Sequence, residues 1–274
     1  MTRNYRIALV MISILFAMSL TGFVQPTFAQ YTSEEFQQSY DVDAGTVLTV
    51  DNQNGNIIVE AWNNDDVEVY AEKVTQFGQS ELDKVSIEVT TGNEMTVKTT
   101  YTNLFWFFSH PRVTVNYRIK VPVDVFVERL ETTNGGISLE GTTGDATLIS
   151  TNGNINVNDV DGSVDAETTN GGITIKDTTN VRGAETTNGR ITVEIPSLRS
   201  NVELKTTNGA ITVYVSVELD ADLSMSTTNG VITIHDVQLD LESSSATSVE
   251  GTMGDGGYDL TITTTNGNID LYKL

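Results

Sequence analysis

Residues 168–175 read Thr168-Thr169-Asn170-Gly171-Gly172-Ile173-Thr174-Ile175, and the fold is decided by how often the chain returns to this phrase. Thr-Thr-Asn-Gly-x-Ile recurs around Asn134, Asn152, Asn170, Asn188, Asn208, Asn229 and Asn266, with Ser150 replacing the first Thr of the second copy. A diverged copy, Asn52-Gln53-Asn54-Gly55-Asn56-Ile57, stands alone upstream. From Asn134 onward the asparagines are 18, 18, 18, 20, 21 and 37 residues apart. The last interval is about two periods, which predicts a degenerate coil inside Leu241 to Gly257. A near-fixed period of this length is the mark of a stacked repeat.

The columns of the repeat have physical meaning. Three positions after the Asn stand Ile137, Ile155, Ile173, Ile191, Ile211, Ile232 and Ile269; two further on stand Leu139, Val157, Ile175, Val193, Val213, Ile234 and Leu271. Four positions before it are Leu130, Leu148, Ala166, Ala184, Leu204, Met225 and Ile262, followed two residues later by Thr or Ser. Polar residues such as Glu131, Glu167, Glu185 and Lys205, or Ser138, Thr174, Thr192 and Thr212, alternate with these. Period-two alternation predicts short strands with one buried face on each side of the Asn-Gly, and no column has helical spacing.

Each Asn-Gly joins two such strands. The predicted corners are Asn54-Gly55, Asn134-Gly135, Asn152-Gly153, Asn170-Gly171, Asn188-Gly189, Asn208-Gly209, Asn229-Gly230 and Asn266-Gly267. Glycine after every Asn predicts a backbone position of positive φ, which side chains penalise. Two architectures share this corner. In an antiparallel β-meander it is a two-residue hairpin turn; in a solenoid it is the bend between two sheets, each coil stacked about 4.8 Å from the next. Identical residues in identical columns favour the stack, because like then lies on like and amide and apolar ladders form along the axis. The predicted fold is all-β, a parallel β-solenoid of roughly 18-residue coils capped by an N-terminal β-rich region, with the meander as the alternative. Pro196 lies just past the strand Ile191 to Ile195, where a ladder donor can be spared.

The chain outside the repeats divides in two. Met1 to Ala29 has Arg3 and Arg6, an uncharged apolar run from Ile7 to Val24, and small residues ending at Ala29. This predicts a secretory signal peptide over 1–29, with an uncleaved anchor as the alternative. Residues 30–129 form the β-rich capping region, with strands expected at Thr46–Val50, Ile57–Trp62, Val67–Val74, Val85–Val89, Met95–Thr100 and Val113–Val121; residues 130–274 form the repeat solenoid. A cap is needed because a terminal coil otherwise offers an unpaired edge.

Composition narrows the functions. With 15 Lys+Arg against 37 Asp+Glu the net charge is −22, or −24 once Arg3 and Arg6 are removed, so no nucleic-acid partner is expected. The absence of cysteine excludes a disulfide framework, a thiolate nucleophile and Cys-ligated zinc. Beyond the leader no stretch is long and apolar enough to span a bilayer, so no membrane span is expected in the cleaved chain.

The order of motifs carries a resemblance. Leu48-Thr49-Val50-Asp51-Asn52, then Asn54 to Trp62, then Ile119-Lys120-Val121-Pro122, then the Thr-Thr-Asn-Gly coils, then Gly251 to Gly257 before the last copy, resembles the DUF4097 family, whose members are labelled adhesins by inference. The resemblance spans roughly residues 40–274. It implies an exported β-solenoid-like protein and brings no catalytic residues.

Chemistry is sparse on this scaffold. His110 and His235 are the only histidines, and neither has a Ser-His-Asp or metal-ligand spacing around it. His235 falls in a solvent-facing column with Tyr214 and Tyr272. Asp159-Val160-Asp161-Gly162 fails as a calcium loop, since Val157 and Thr168 occupy the first and twelfth ligand positions. Glu131, Glu167 and Glu185 align, but Ile149 interrupts them, which reads as a solvated ladder. No catalytic, metal-ligating or cofactor-binding residue is expected, and no cofactor. The dense aromatic run Leu104-Phe105-Trp106-Phe107-Phe108 is either a cap over the stack or an exposed contact for a partner, with Phe105, Trp106, Phe107 and Phe108 as the contact residues. Three functions follow in order: an exported, non-enzymatic surface or envelope protein acting as an adhesin or scaffold with an unknown surface partner; a binding module for an envelope polysaccharide or a cation-bridged surface; and, last, a polysaccharide-acting enzyme.

Overall fold

The computed structural model describes residues 31–102 and 112–274. The predicted signal peptide, the aromatic run with Phe105, Trp106, Phe107 and Phe108, and His110 lie outside the described residues.

The described residues form 21 strands and one single-turn helix. The first part contains β1 (Thr32–Asp41), β2 (Val47–Asp51), β3 (Ile57–Trp62), β4 (Asp66–Thr75), α1 (Gln79–Leu82), β5 (Val85–Thr90), β6 (Glu94–Tyr101) and β7 (Thr114–Pro122). Then come β8 (Phe126–Asn134), β9 (Ile137–Glu140), β10 (Ala146–Asn152), β11 (Ile155–Asn170), β12 (Ile173–Asn188), β13 (Ile191–Ile195), β14 (Val202–Asn208) and β15 (Ile211–Val215). The last are β16 (Ala221–Asn229), β17 (Ile232–His235), β18 (Asp240–Ser244), β19 (Ser248–Met253), β20 (Tyr258–Asn266) and β21 (Ile269–Lys273). The six strands expected before residue 122 are present to within a residue or so. Strand β1 carries no clear strand signal in the sequence, because only Phe36 and Tyr40 break its polar run.

Neighbouring repeats run parallel, as the solenoid reading requires. Strands leading into the Asn pair like with like: Leu148 with Leu130 and Ala166, Ser150 with Thr132 and Thr168, Asn152 with Asn134 and Asn170. Strands leaving it do the same, with Ile155 between Ile137 and Ile173. The leading sheet has the order β5, β6, β2, β8, β10, second half of β11, second half of β12, β14, β20, β16, β19, β18. The trailing sheet has the order β1, β4, β7, β3, β9, first half of β11, first half of β12, β13, β15, β21, β17. The antiparallel pairs all sit at the two ends: β1–β4, β4–β7 and β5–β6 at one, β16–β19 and β18–β19 at the other. Between the sheets lies one apolar core, in which Leu130, Leu148, Ile155, Ile175, Ile211, Ile262 and Leu271 are fully buried.

The diverged copy at Asn54 stacks directly on the one at Asn134. There Asn52 takes the place of the inward Thr. It is buried, donates to the carbonyls of Gly55 (3.1 Å) and Val115 (2.8 Å), and accepts from Thr99 (2.9 Å), whose hydroxyl also meets that of Tyr117 (2.7 Å). A buried amide must have its hydrogen bonds met, and this one does.

Two expectations about the end of the chain are overturned. Leu241 to Gly257 holds no degenerate coil; β18 and β19 form an antiparallel hairpin on the edge of β16. The polar, strand-forming run Asp240–Met253 lacks the Asn-Gly corner and both inward columns, so it closes a sheet edge instead of adding a coil. The final copy also does not follow the one at Asn229. Strand β20 lies between β14 and β16, and β21 between β15 and β17. In space the copies run 54, 134, 152, 170, 188, 208, 266, 229, and the 37-residue interval is a return journey.

The corner glycines are required for a different reason from the predicted one. Only Gly55, at φ +120°, has positive φ; the seven later corner glycines lie outside the left-handed region. A Cβ on any of those seven would fall 1.8–2.0 Å from the carbonyl oxygen of the corner glycine in the adjacent coil. Backbone packs on backbone there, and no side chain fits between.

Candidate binding surface

The bend between the sheets presents a ridge of uncharged polar groups. From Asn134 onward each corner Asn donates its side-chain amide to the side-chain oxygen of the preceding one in space, at 2.7–2.9 Å, so that Asn54, Asn134, Asn152, Asn170, Asn188, Asn208, Asn266 and Asn229 form one unbroken ladder. All seven bonds point the same way, an arrangement in which each amide polarises the next. Just inside the ridge the Thr or Ser two residues earlier is buried and donates to the adjacent glycine carbonyl, as Thr168 does to Gly153 at 3.0 Å and Thr186 to Gly171 at 2.9 Å. Just outside it, Thr133, Thr151, Thr169, Thr187, Thr207, Thr265 and Thr228 are all exposed. One hydroxyl and one amide therefore recur at every coil.

The leading sheet carries the acidic column. Ile149 does separate Glu131 from Glu167, and Glu185 faces Lys205 across the next coils. Ion pairs Lys98–Asp51 (2.8 Å), Arg129–Glu131 (2.8 Å) and Lys205–Glu185 (3.1 Å) punctuate this column. Asp51 and Glu185 hold the ammonium groups of Lys98 and Lys205 above the ordinary lysine pKa, but both lysines are solvated and contribute little stability.

The trailing sheet carries an aromatic column at its far end. Tyr214 stacks on Tyr272 with centroids 5.3 Å apart, and Tyr272 on His235 at 4.2 Å with planes 4° apart. The insertion of β21 between β15 and β17 puts Tyr272 in the middle, so the fold assembles this stack from three segments distant in sequence. His235 Nε2 lies 3.7 Å from Asp270 Oδ1. At the end of these strands is a cleft of about 390 Å³ lined by Val215, Ser216, Asp236, Val237, Met253 and Lys273. Among the described residues no three His, Asp or Glu side chains converge as a metal-ligating group.

The Asp159–Gly162 segment that resembles a calcium loop is a second corner of the coil. Gly141, Asp159, Asp177 and Asp236, each seven residues after its Asn, have φ of 69°, 53°, 49° and 56°. Asp161 accepts from the Thr179 hydroxyl at 2.7 Å. The sequence signal for this corner is a Gly or Asp at a fixed offset, hidden because Ile195, Val215 and Lys273 break the column in the other coils.

Comparison with known proteins gives a family match over part of the chain. Residues 162–272 match the family model described as Toastrack DUF4097. Among curated proteins none matches the sequence. Similar solved structures include a "putative adhesin" from Bacteroides fragilis, 14% identical, covering 87% of this chain and 97% of its own with a TM-score of 0.44. A "putative cell adhesion protein" from Clostridium sporogenes is 11% identical, covering 89% and 100%, with a TM-score of 0.37. A "putative lipid binding protein" from Parabacteroides distasonis is 12% identical, covering 86% and 96%, with a TM-score of 0.40. The family match therefore falls on coils of the parallel stack, and over residues 162–272 the chain is similar to the DUF4097, or Toastrack, family.

Proposed function

We propose that the protein is an exported, non-enzymatic surface or envelope protein that works as an adhesive or scaffolding rod. The observation that carries this reading is the ridge of eight laddered asparagines and seven exposed threonines. It offers one uncharged hydrogen-bonding pattern at a repeat of about 4.8 Å. A partner with repeating polar groups meets the same contact at each coil, and weak contacts then add as avidity. The leader at 1–29 supports export, residues 30–129 serve as the cap and supply Asn54, and residues 130–274 carry the other seven asparagines of the ridge. The test is the triple variant Thr151→Lys, Thr169→Lys, Thr187→Lys, assayed for binding to immobilised bacterial envelope preparations. Unchanged melting with at least a tenfold loss of binding supports the ridge; unchanged binding removes it.

A second reading, a binding module for envelope polysaccharide, is favoured by the aromatic column Tyr214–Tyr272–His235. Aromatic rings combine an apolar face with a polar tip, which suits sugars. Replacing Tyr214 and Tyr272 by Ser abolishes polysaccharide binding on this reading and leaves it intact on the first.

A further inference from the structure

The order of coils in space points to an element that can be exchanged between molecules. The β20–β21 coil is the last in the chain, yet it occupies a slot between the coils of Asn208 and Asn229. Leu260, Ile262, Ile269 and Leu271 are fully buried in that slot. Both walls are made of residues of the same kind. Leu260 lies between Val202 and Leu223, Ile262 between Leu204 and Met225, Ile269 between Ile211 and Ile232, Leu271 between Val213 and Ile234. The amide ladder passes through it unbroken, from Asn208 to Asn266 to Asn229. The slot therefore selects for the chemistry of a Thr-Thr-Asn-Gly coil and not for the molecule that supplies it.

The connection to the inserted coil has the character of a hinge. Strands β19 and β20 lie on opposite edges of β16, so residues 254–257 must cross that strand in four residues. They do so with Gly254, Gly256 and Gly257 at φ +56°, +76° and +147°. A short connection that turns tightly in the closed molecule is relieved when it opens, and exchanging an identical element between protomers is a low-cost route to a dimer. Insertion within one molecule is favoured by the high effective concentration of a tethered coil, on the order of millimolar for a short linker. Exchange therefore grows with chain concentration during folding.

We propose that two copies of this chain assemble by exchanging their β20–β21 coils, each filling the slot of the other. This goes beyond the surface-protein reading and does not depend on it.

The chain has no cysteine, so single thiols report the exchange cleanly. Thr212 and Asp270 face each other across β15 and β21 and are both partly exposed. One population of the full chain carries Thr212→Cys and a second carries Asp270→Cys; they are unfolded, mixed, refolded over a range of concentrations and oxidised. A chain carrying both substitutions serves as control, and its internal disulfide shows that the pair is within reach. Exchange yields a mixed disulfide dimer at least threefold in excess of either like-with-like dimer and rising with concentration. Lengthening the hinge by four Gly/Ser residues after Asp255 lowers that yield severalfold. A mixed dimer less than threefold in excess of either like-with-like dimer, random coupling of equal populations giving twofold, overturns the proposal in preparations where the control cross-links.

Discussion

At the scale of single residues, the corner glycines are among the least replaceable of the described positions. Gly171 would place a Cβ 2.0 Å from the carbonyl oxygen of Gly153 and 3.0 Å from the amide nitrogen of Asn154, both backbone atoms that cannot move without opening the stack. Gly171→Ala is expected to cost at least ~4 kcal/mol, at the upper end of single-residue effects. Gly78→Ala serves as the contrast: at φ +83° and ψ 175° with open space around it, its cost is limited to the backbone penalty of that glycine-only region, about 1–3 kcal/mol. Chemical denaturation of the two variants checks the difference, and equal losses would refute the close-approach account. Tyrosine supplies a second residue-scale test. Burial pushes the Tyr101 hydroxyl up to about 12 and raises Tyr117 as well, despite its bond to Thr99. In the unfolded chain tyrosine ionises near 10. The folded state keeps these protons longer, so the stability they contribute is whole below about pH 10 and is lost as pH rises through 12. Melting temperature should fall steeply over that interval, and Tyr101→Phe should flatten part of the fall.

At the scale of elements, the two ends of the stack are handled differently from the middle. The interior strands are parallel and paired on both sides, whereas antiparallel strands close both sheets at the first end and the leading sheet at the other, where the trailing sheet ends in parallel β17. The hairpin β18–β19 covers β16, with Val249 and Met253 buried against it and all five residues of β18 exposed. Asp240 and Glu242 on that outermost strand discourage pairing with another molecule. Val249→Asp places a charge in the buried side of this hairpin and should release it from β16. The bare parallel edge then invites association, so sedimentation should show mass rising with concentration while the strand content by circular dichroism is nearly kept. A variant that stays monomeric at all concentrations would show that the hairpin has no guarding role. The Asn52–Thr99–Tyr117 network performs the corresponding task at the other end, fixing β6 and β7 against the coil of Asn54.

At the scale of the whole molecule, charge and repetition oppose each other. Stacking like on like brings Glu167 beside Glu185 and leaves a net charge of −22 on the chain. Self-repulsion of this kind weakens the compact state and is screened by salt, the Debye length falling from about 30 Å at 0.01 M to about 8 Å at 0.15 M. The melting temperature should therefore rise by several degrees between those ionic strengths. A fall on adding salt would mean that the ion pairs, such as Lys98–Asp51 and Lys205–Glu185, outweigh the repulsion.

The sequence by itself determined the all-β class and the inward columns and favoured parallel pairing over a meander, because each follows from local alternation or from identical residues recurring at one interval. The column Tyr214, Tyr272 and His235 was legible for the same reason, as a shared offset from the Asn. Tertiary structure alone decided that Tyr272 lies between the other two, that the last coil slips between its predecessors, and that residues 240–253 turn back as a hairpin. The physical reason is degeneracy: coils with equivalent faces can stack in more than one order, and their columns do not distinguish those orders. What selects one is the whole set of contacts at once, including the four-residue crossing at Gly254–Gly257 and the need to cover the free edge of β16.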